Sequence, residues 1–175
     1  PKTACERFIR EESGTANWTV VRPVISSSER RFDLVTLSGH EILDAAAAGK
    51  TLLLPEVTRD LTAGVDWAGN TGRLIASLLF RENTLREAYT VSSAQNLTWR
   101  EVADIYERLT GAKFRWTTTE EYIHTGHSGY ILKYDRLFDR RIDNSKILAA
   151  TGLKSEDFTP LEDGIKIELE KVRKH

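Results

Sequence analysis

The chain has 175 residues, 40% of them apolar, which suits a single domain with a real buried core. Its 25 basic and 26 acidic side chains leave a net charge of -1 and are spread evenly, so neither nucleic acid nor a membrane surface is indicated as a partner. The lone cysteine, Cys5, excludes a disulfide framework or a Cys-rich zinc site, and with no signal peptide and no apolar run near the ~20 residues a bilayer needs, a cytoplasmic location is the default.

The chain opens on Pro1 and contains no methionine, so it reads as a fragment of a longer protein or as a sequence from which methionines are missing. Cys5, Phe8, Ile9 and Glu12 repeat at helical spacing, and Ser13-Gly14-Thr15 ends that helix. Trp18 to Val21 is rich in β-branched and aromatic residues and predicts a buried strand, which Pro23 closes. The polar run Val24 to Arg31, with Ser26, Ser27 and Ser28 at its centre, follows a strand, where α/β proteins place ligand loops; a plain solvated loop is the alternative.

From Phe32 to Ala48 the apolar spacing predicts helical structure, clearest over Glu41 to Ala48 and stopped by Gly49. Thr51 to Pro55 is a short strand. Asp66 predicts the N-cap of a helix whose stripe is Trp67, Asn70, Leu74 and Leu78, ended by Arg81-Glu82-Asn83. Ala88 to Ser93 is a further strand. Thr98-Trp99-Arg100-Glu101 fits a capping box ahead of the stripe Val102, Ile105, Tyr106 and Leu109, with Gly111 closing the helix. Lys113 to Thr117 alternates like a half-buried strand, and Thr118 to Glu121 offers a second capping box. His124 and His127 sit in the following loop with no carboxylate or cysteine at ligand spacing, so no metal is expected. Tyr130 to Tyr134 reads as partly buried, Asp143 opens a short helix ending at Gly152, and Thr159-Pro160-Leu161-Glu162 starts a last helix with Leu161, Ile165, Leu169 and Val172 on the core. Helices alternating with strands, without repeats or long linkers, make the class α/β.

Read for chemistry, the residues offer no nucleophile beside an obvious base, no close carboxylate pair and no glycine-rich phosphate loop. In order, however, Lys2 with Glu6, Val20-Val21-Arg22-Pro23, Arg59-Asp60 with Asp66, Val91-Ser92-Ser93, Thr98 to Glu101, Asp143 to Lys146 and the helix Leu161 to Val172 form a set. That set resembles the C-terminal half of the extended short-chain dehydrogenases, the NAD-dependent epimerase/dehydratase family of oxidoreductases and isomerases. The resemblance implies the C-terminal part of a Rossmann-type fold, with residues 1–24 a remnant of the dinucleotide-binding domain. Residues 25–175 are then the substrate-binding region, of which 60–93 packs back on the Rossmann part.

It also implies NAD or NADP as cofactor, a small-molecule substrate such as a sugar nucleotide, and compatibility with a homodimer. Lys2 would favour the phenolate of a partner tyrosine, lowering a pKa ordinarily near ~10, and hold the ribose of the nicotinamide. Arg22, Pro23, Val24 and Ile25 would stand beside the nicotinamide, Ser26, Ser27 and Ser28 in the substrate loop, and Arg59 on the substrate's diphosphate, a task suited to a planar fork of donors. A structural ion pair is the alternative for Arg22 and for Arg59, and helix capping is favoured over acid catalysis for Asp66. The glycine fingerprint and the catalytic tyrosine of the family have no counterpart within the chain, and Ile25-Ser26-Ser27-Ser28 replaces the common Tyr-Gly-Pro. A non-catalytic, cofactor-sensing relative, and a free-standing α/β domain of unrelated function, are the competing expectations.

Overall fold

A computed structural model describes residues 2–172. Helices α1 Lys2–Glu12, α2 Gly39–Ala47, α3 Ala68–Leu78, α4 Trp99–Thr110, α5 Thr119–His124, α6 Gly129–Ile131, α7 Ser145–Thr151 and α8 Leu161–Val172 alternate with short strands. The strands are β1 Thr19–Pro23, β2 Ile25–Ser27, β3 Thr51–Pro55, β4 Val65–Trp67, β5 Glu87–Val91 and β6 Lys113–Thr117. The architecture is α/β. Every ladder among these strands is parallel: β1 with β5, Thr19 opposite Glu87; β2 with β4, Ile25 opposite Val65; and β3 with β6, Thr51 opposite Lys113.

β1 and β2 are one extended run that changes partner at Val24. The Val24 N–H reaches Val91 O at 3.4 Å, and the next amide, Ile25 N–H, donates to Gly64 O at 3.0 Å. A run that leaves one strand for another opens a gap between the two, and here the Asp66 carboxylate joins its sides. Asp66 is fully buried and accepts Trp67 N–H at 2.8 Å, Asn70 Nδ2 at 2.9 Å, Ser93 N–H at 2.5 Å and Ser93 Oγ at 2.9 Å. Asp66 is therefore not the N-cap of α3, which is Trp67; it lies within β4 and ties that strand to the exit of β5.

Local signals set most helix ends. Thr98 and Glu101 make the expected reciprocal box at α4, and Gly111 and Gly152 close α4 and α7 at φ 75° and 74°. The helical reading of Phe32 to Leu37 does not hold: α2 starts at Gly39 behind a Ser38–Glu41 box, and Leu34 and Leu37 pair as an antiparallel bridge around Val35 at φ 55°. The expected box at Thr118 is half made. Thr118 accepts Glu121 N–H, while the Glu121 carboxylate turns to Thr117 and to Arg115, 2.7 Å away. At α8, Gln95 Oε1 accepts Leu161 N–H at 2.8 Å, and Glu162 pairs instead with Arg108 of α4 at 2.7 Å.

The larger core gathers Phe32, Leu34, Leu37, Ile42, Leu54, Trp99 and Ile165 with their neighbours, and a second joins α3, β5 and α7 through Leu74, Leu78, Tyr89, Val91 and Ile147. Expected burial fails in two places. The strand β1 pairs on one edge only among the described residues, so Val21 is exposed, and the apolar face of α1 has no cover, so Phe8 is 66% exposed. Within Tyr130–Tyr134 only Leu132 turns inward; Tyr130 and Tyr134 are exposed and meet in a tilted pair with ring centres 4.9 Å apart. Among the described residues, no helix is long and apolar enough to cross a membrane.

Helix α8 is seated by Trp67, whose Nε1 donates to Glu168 at 2.9 Å, and a Cβ on Gly164 would stand 2.4 Å from Trp67 Cγ. Gly164→Ala is expected to cost about 1–3 kcal/mol by overpacking, read as a lowered urea midpoint. Burial pushes Glu168 up, but donation from Lys171, Trp67 and the Glu29 amide outweighs it and holds the carboxyl below its usual 4.5. A depressed carboxyl stabilises fully above its unfolded pKa and loses that contribution as pH falls through the folded value. Glu168→Gln should therefore flatten the decline in thermal stability below about pH 4.5 seen by circular dichroism, relative to the unchanged chain.

Candidate functional site

The partner switch at Val24 lies at the C-terminal end of parallel β1, where open α/β sheets place ligands. An open cleft of about 940 Å³, its mouth included, forms there. Lys2 from the first turn of α1 lines it together with Arg22, Pro23, Val24 and Ile25, which come from the extended run. Gly64 and Thr90 line it from the segments paired with that run, and Arg31, Asp135 and Arg140 reach it from two further segments. The residues expected to flank a nicotinamide thus share one surface, although 20 positions separate Lys2 from Arg22 in the chain.

Arg22 is oriented by Glu6. Its Nε donates to Glu6 Oε1 at 2.8 Å and its Nη2 to Glu6 Oε2, a two-pronged pair across the α1–β1 junction. The hydrogen bond from Arg22 holds the Glu6 carboxyl below its usual value and the same bond raises the guanidinium. Glu6 follows Lys2 by four, so the two lie on one face of α1, and one helix brings both the Lys2 ammonium and, through Glu6, the fixed Arg22 guanidinium to the cleft.

The serine run divides. Ser26 Oγ lies 3.3 Å from both Val24 O and Thr71 Oγ1, tying the run to α3. Ser27 is buried, its hydroxyl beside the Tyr106 phenol without a hydrogen bond of ordinary geometry. Ser28 closes a tight turn by exchanging both backbone hydrogen bonds with Arg31, at 3.0 and 2.9 Å. Arg59 does not line the cleft: it follows a 3₁₀ turn, Glu56–Thr58, and lies 3.8 Å from Glu56, while Asp60 faces Arg100 at 4.0 Å.

The histidines part company as well. His124 Nδ1 contacts Glu120 O at 2.8 Å and His127 stacks on Tyr122 with centroids 4.6 Å apart. Among the described residues no group of three His, Cys, Asp or Glu is placed to hold a metal ion.

Arg31, Gly64, Asp135 and Arg140 were not singled out from the sequence. The one available signal was Gly64, an isolated glycine between Ala63 and the β-branched Val65. It adopts φ 62°, and a Cβ there would lie 2.8 Å from both Cβ and Cδ of Arg140, so the arginine reaches the cleft by crossing bare backbone.

No family model matches this chain, and no curated protein matches it in sequence. Solved structures do. A UDP-glucose 4-epimerase from Thermotoga maritima, solved with UDP-glucose, aligns with a TM-score of 0.65 at 15% identity, covering 99% of this chain and 50% of the epimerase. A UDP-glucuronic acid 4-epimerase from Bacillus cereus, in complex with UDP-glucuronic acid and NAD, gives 0.67 at 12% identity over 99% and 50% of the two chains. For the UDP-glucose 4-epimerase of Thermus thermophilus, in complex with NAD, the values are 0.61, 15%, 98% and 51%. The fold is that of half a Rossmann-type epimerase. The chain spans about half the length of these extended short-chain dehydrogenases, and at such identities the likeness speaks for the fold alone.

Substituting Gly64 by Ala tests the crossing. The positive φ and the contact with Arg140 should together cost about 1–3 kcal/mol, measured as a lowered melting temperature.

Proposed function

We propose that the chain is the C-terminal, substrate-binding portion of an NAD(P)-dependent epimerase, dehydratase or reductase acting on a sugar nucleotide or a similar hydroxyl or carbonyl substrate. The observation that carries this reading is the convergence of Lys2 with Arg22, Pro23, Val24 and Ile25 on one cleft at the end of a parallel strand, in a fold shared with such epimerases. In the complete protein the nicotinamide supplies hydride transfer. Within this chain, Lys2 offers an ammonium to the ribose and to a neighbouring phenolate, the Glu6–Arg22 pair fixes the floor, and Val24 and Ile25 give an apolar wall to a flat ring.

Two surfaces support that reading. Among the described residues the apolar face of α1 is uncovered and β1 is paired along one edge, surfaces that a dinucleotide-binding half would cover, and residues 60–93 supply β4, α3 and β5, of which β5 pairs with β1.

The test is the full-length protein assayed for NAD and NADP binding by calorimetry and for turnover of UDP-sugars. Lys2→Met is expected to lower kcat by at least about 100-fold, in the range typical of a lost acid–base assistant, with the fold retained by circular dichroism. Tight cofactor binding with no turnover of any candidate would favour the regulatory reading, and wild-type kcat in Lys2→Met would remove Lys2 from the chemistry.

A further inference from the structure

Three arginines and two aspartates from distant parts of the chain form one network at the cleft. Arg31 Nε donates to Asp33 Oδ2 at 2.7 Å, and Arg140 Nη2 pairs with Asp135. Arg136 lies between these pairs. It is 4% exposed, its Nε donates to Val35 O at 2.6 Å, its guanidinium sits 5.7 Å from the Trp99 ring centre, and it contacts both Asp135 and, at 3.8 Å, Asp33.

The two outer arginines are built differently from the inner one. Arg31 and Arg140 line the cleft, whereas Arg136 does not. Arg31 spends only Nε on its carboxylate, and among the described residues its two terminal nitrogens make no hydrogen bond. Arg140 is anchored by its backbone N–H to Thr62 O at 3.1 Å and by the stem lying across Gly64, so its fork is aimed; Nη2 donates to both the carboxylate and the backbone carbonyl of Asp135, Nη1 lies 3.5 Å from Ala63 O, and among the described residues Nε makes no hydrogen bond. Each carboxylate that holds an outer arginine also touches Arg136. An incoming anion can therefore draw Arg31 and Arg140 away while the Arg136 guanidinium stays beside both the Asp33 and Asp135 carboxylates, which lowers the usual penalty for breaking such pairs; the Asp135 backbone carbonyl gives up its Arg140 donor in exchange.

We propose that Arg31 and Arg140 are the anion-gripping pair of this cleft, taking a phosphate-bearing group, with Asp33 and Asp135 as the carboxylates that this group displaces and Arg136 as their permanent counter-ion. Planar forks with unspent N–H groups suit phosphate oxygens, and the four cations lining the cleft against one carboxylate favour an anionic occupant. The proposal rests on the cleft being the ligand site argued above, and it moves the phosphate contact away from Arg59.

Calorimetric titration of the full-length protein with inorganic pyrophosphate decides it. Arg31→Gln and Arg140→Gln should each weaken binding about tenfold or more, the loss expected for a hydrogen bond to a charged group, while Arg59→Gln leaves it unchanged. Asp135→Asn removes the competing carboxylate and should tighten binding severalfold, a gain that misfolding cannot produce. Wild-type affinity in both arginine variants, no gain in Asp135→Asn, loss in Arg59→Gln, or no pyrophosphate binding by the unchanged protein would each overturn the pair. A parallel titration with NAD and NADP separates the two readings: absence of cofactor binding sinks the dehydrogenase-type function, whereas the pyrophosphate series still decides the arginines.

Discussion

The buried carboxylate of Asp66 is the constraint on which the arrangement depends. A charge in an apolar interior persists only when donors surround it, and Asp66 receives them from its own following amide, from α3 and from the residue that leaves β5. Asn70 carries the tie onward, donating to Thr159 O at 2.8 Å and accepting Thr159 N–H at 3.0 Å, so the approach to α8 is set from the same point. Gln95 adds a second strut to Thr159 O at 3.2 Å. With that joint fixed, β4 and β5 stand where the extended run can pass from one to the other, and the cleft is the space the passage leaves.

How far the sequence disclosed this varied with the range of the interactions involved. Ends set by neighbours three or four positions away were readable: the Thr98–Glu101 box, the left-handed glycines after α4 and α7, and the aspartate ahead of α7 all depend on local donors. Where a distant partner competed, the local reading failed. Glu162 leaves its own helix start for Arg108, Glu121 leaves Thr118 for Arg115, and Phe32 to Leu37 has helical spacing but is held as a turn by burial on all sides. β-propensity identified β1 correctly but not its exposure, because burial belongs to the neighbours of a strand and among the described residues β1 has one.

The site followed the same rule. Lys2, Arg22, Pro23, Val24 and Ile25, named in the sequence through a resemblance, line one cleft in the fold. Arg31, Asp135 and Arg140 were not legible there, since a run such as Asp135-Arg136-Leu137-Phe138-Asp139-Arg140 has the composition of an ordinary solvated surface, and only the fold reveals that one of its arginines is buried under Trp99 and another crosses a glycine. Asp66 was read as the cap of α3 in preference to a catalytic acid, and that cap reading failed because its place within β4 and its reach to Ser93 depend on the pairing of β5 and could not be inferred from the helix that follows it.

The parallel ladders carry a kinetic consequence. Each joins segments far apart in sequence, Val21 with Tyr89 and Leu53 with Arg115, so long loops must close before any ladder hydrogen bond offsets their entropy. The capped helices α2 and α4 can form early from local contacts, whereas the Asp66 joint, which needs β4 and β5 already side by side, must form late. Assembly is then slow at the step that creates the cleft, and even in the folded chain the apolar residues Trp18, Val21, Leu79 and Phe80 border an open groove. Synthesis of the strands in the order β1, β4, β5 leaves the first of them waiting for the last.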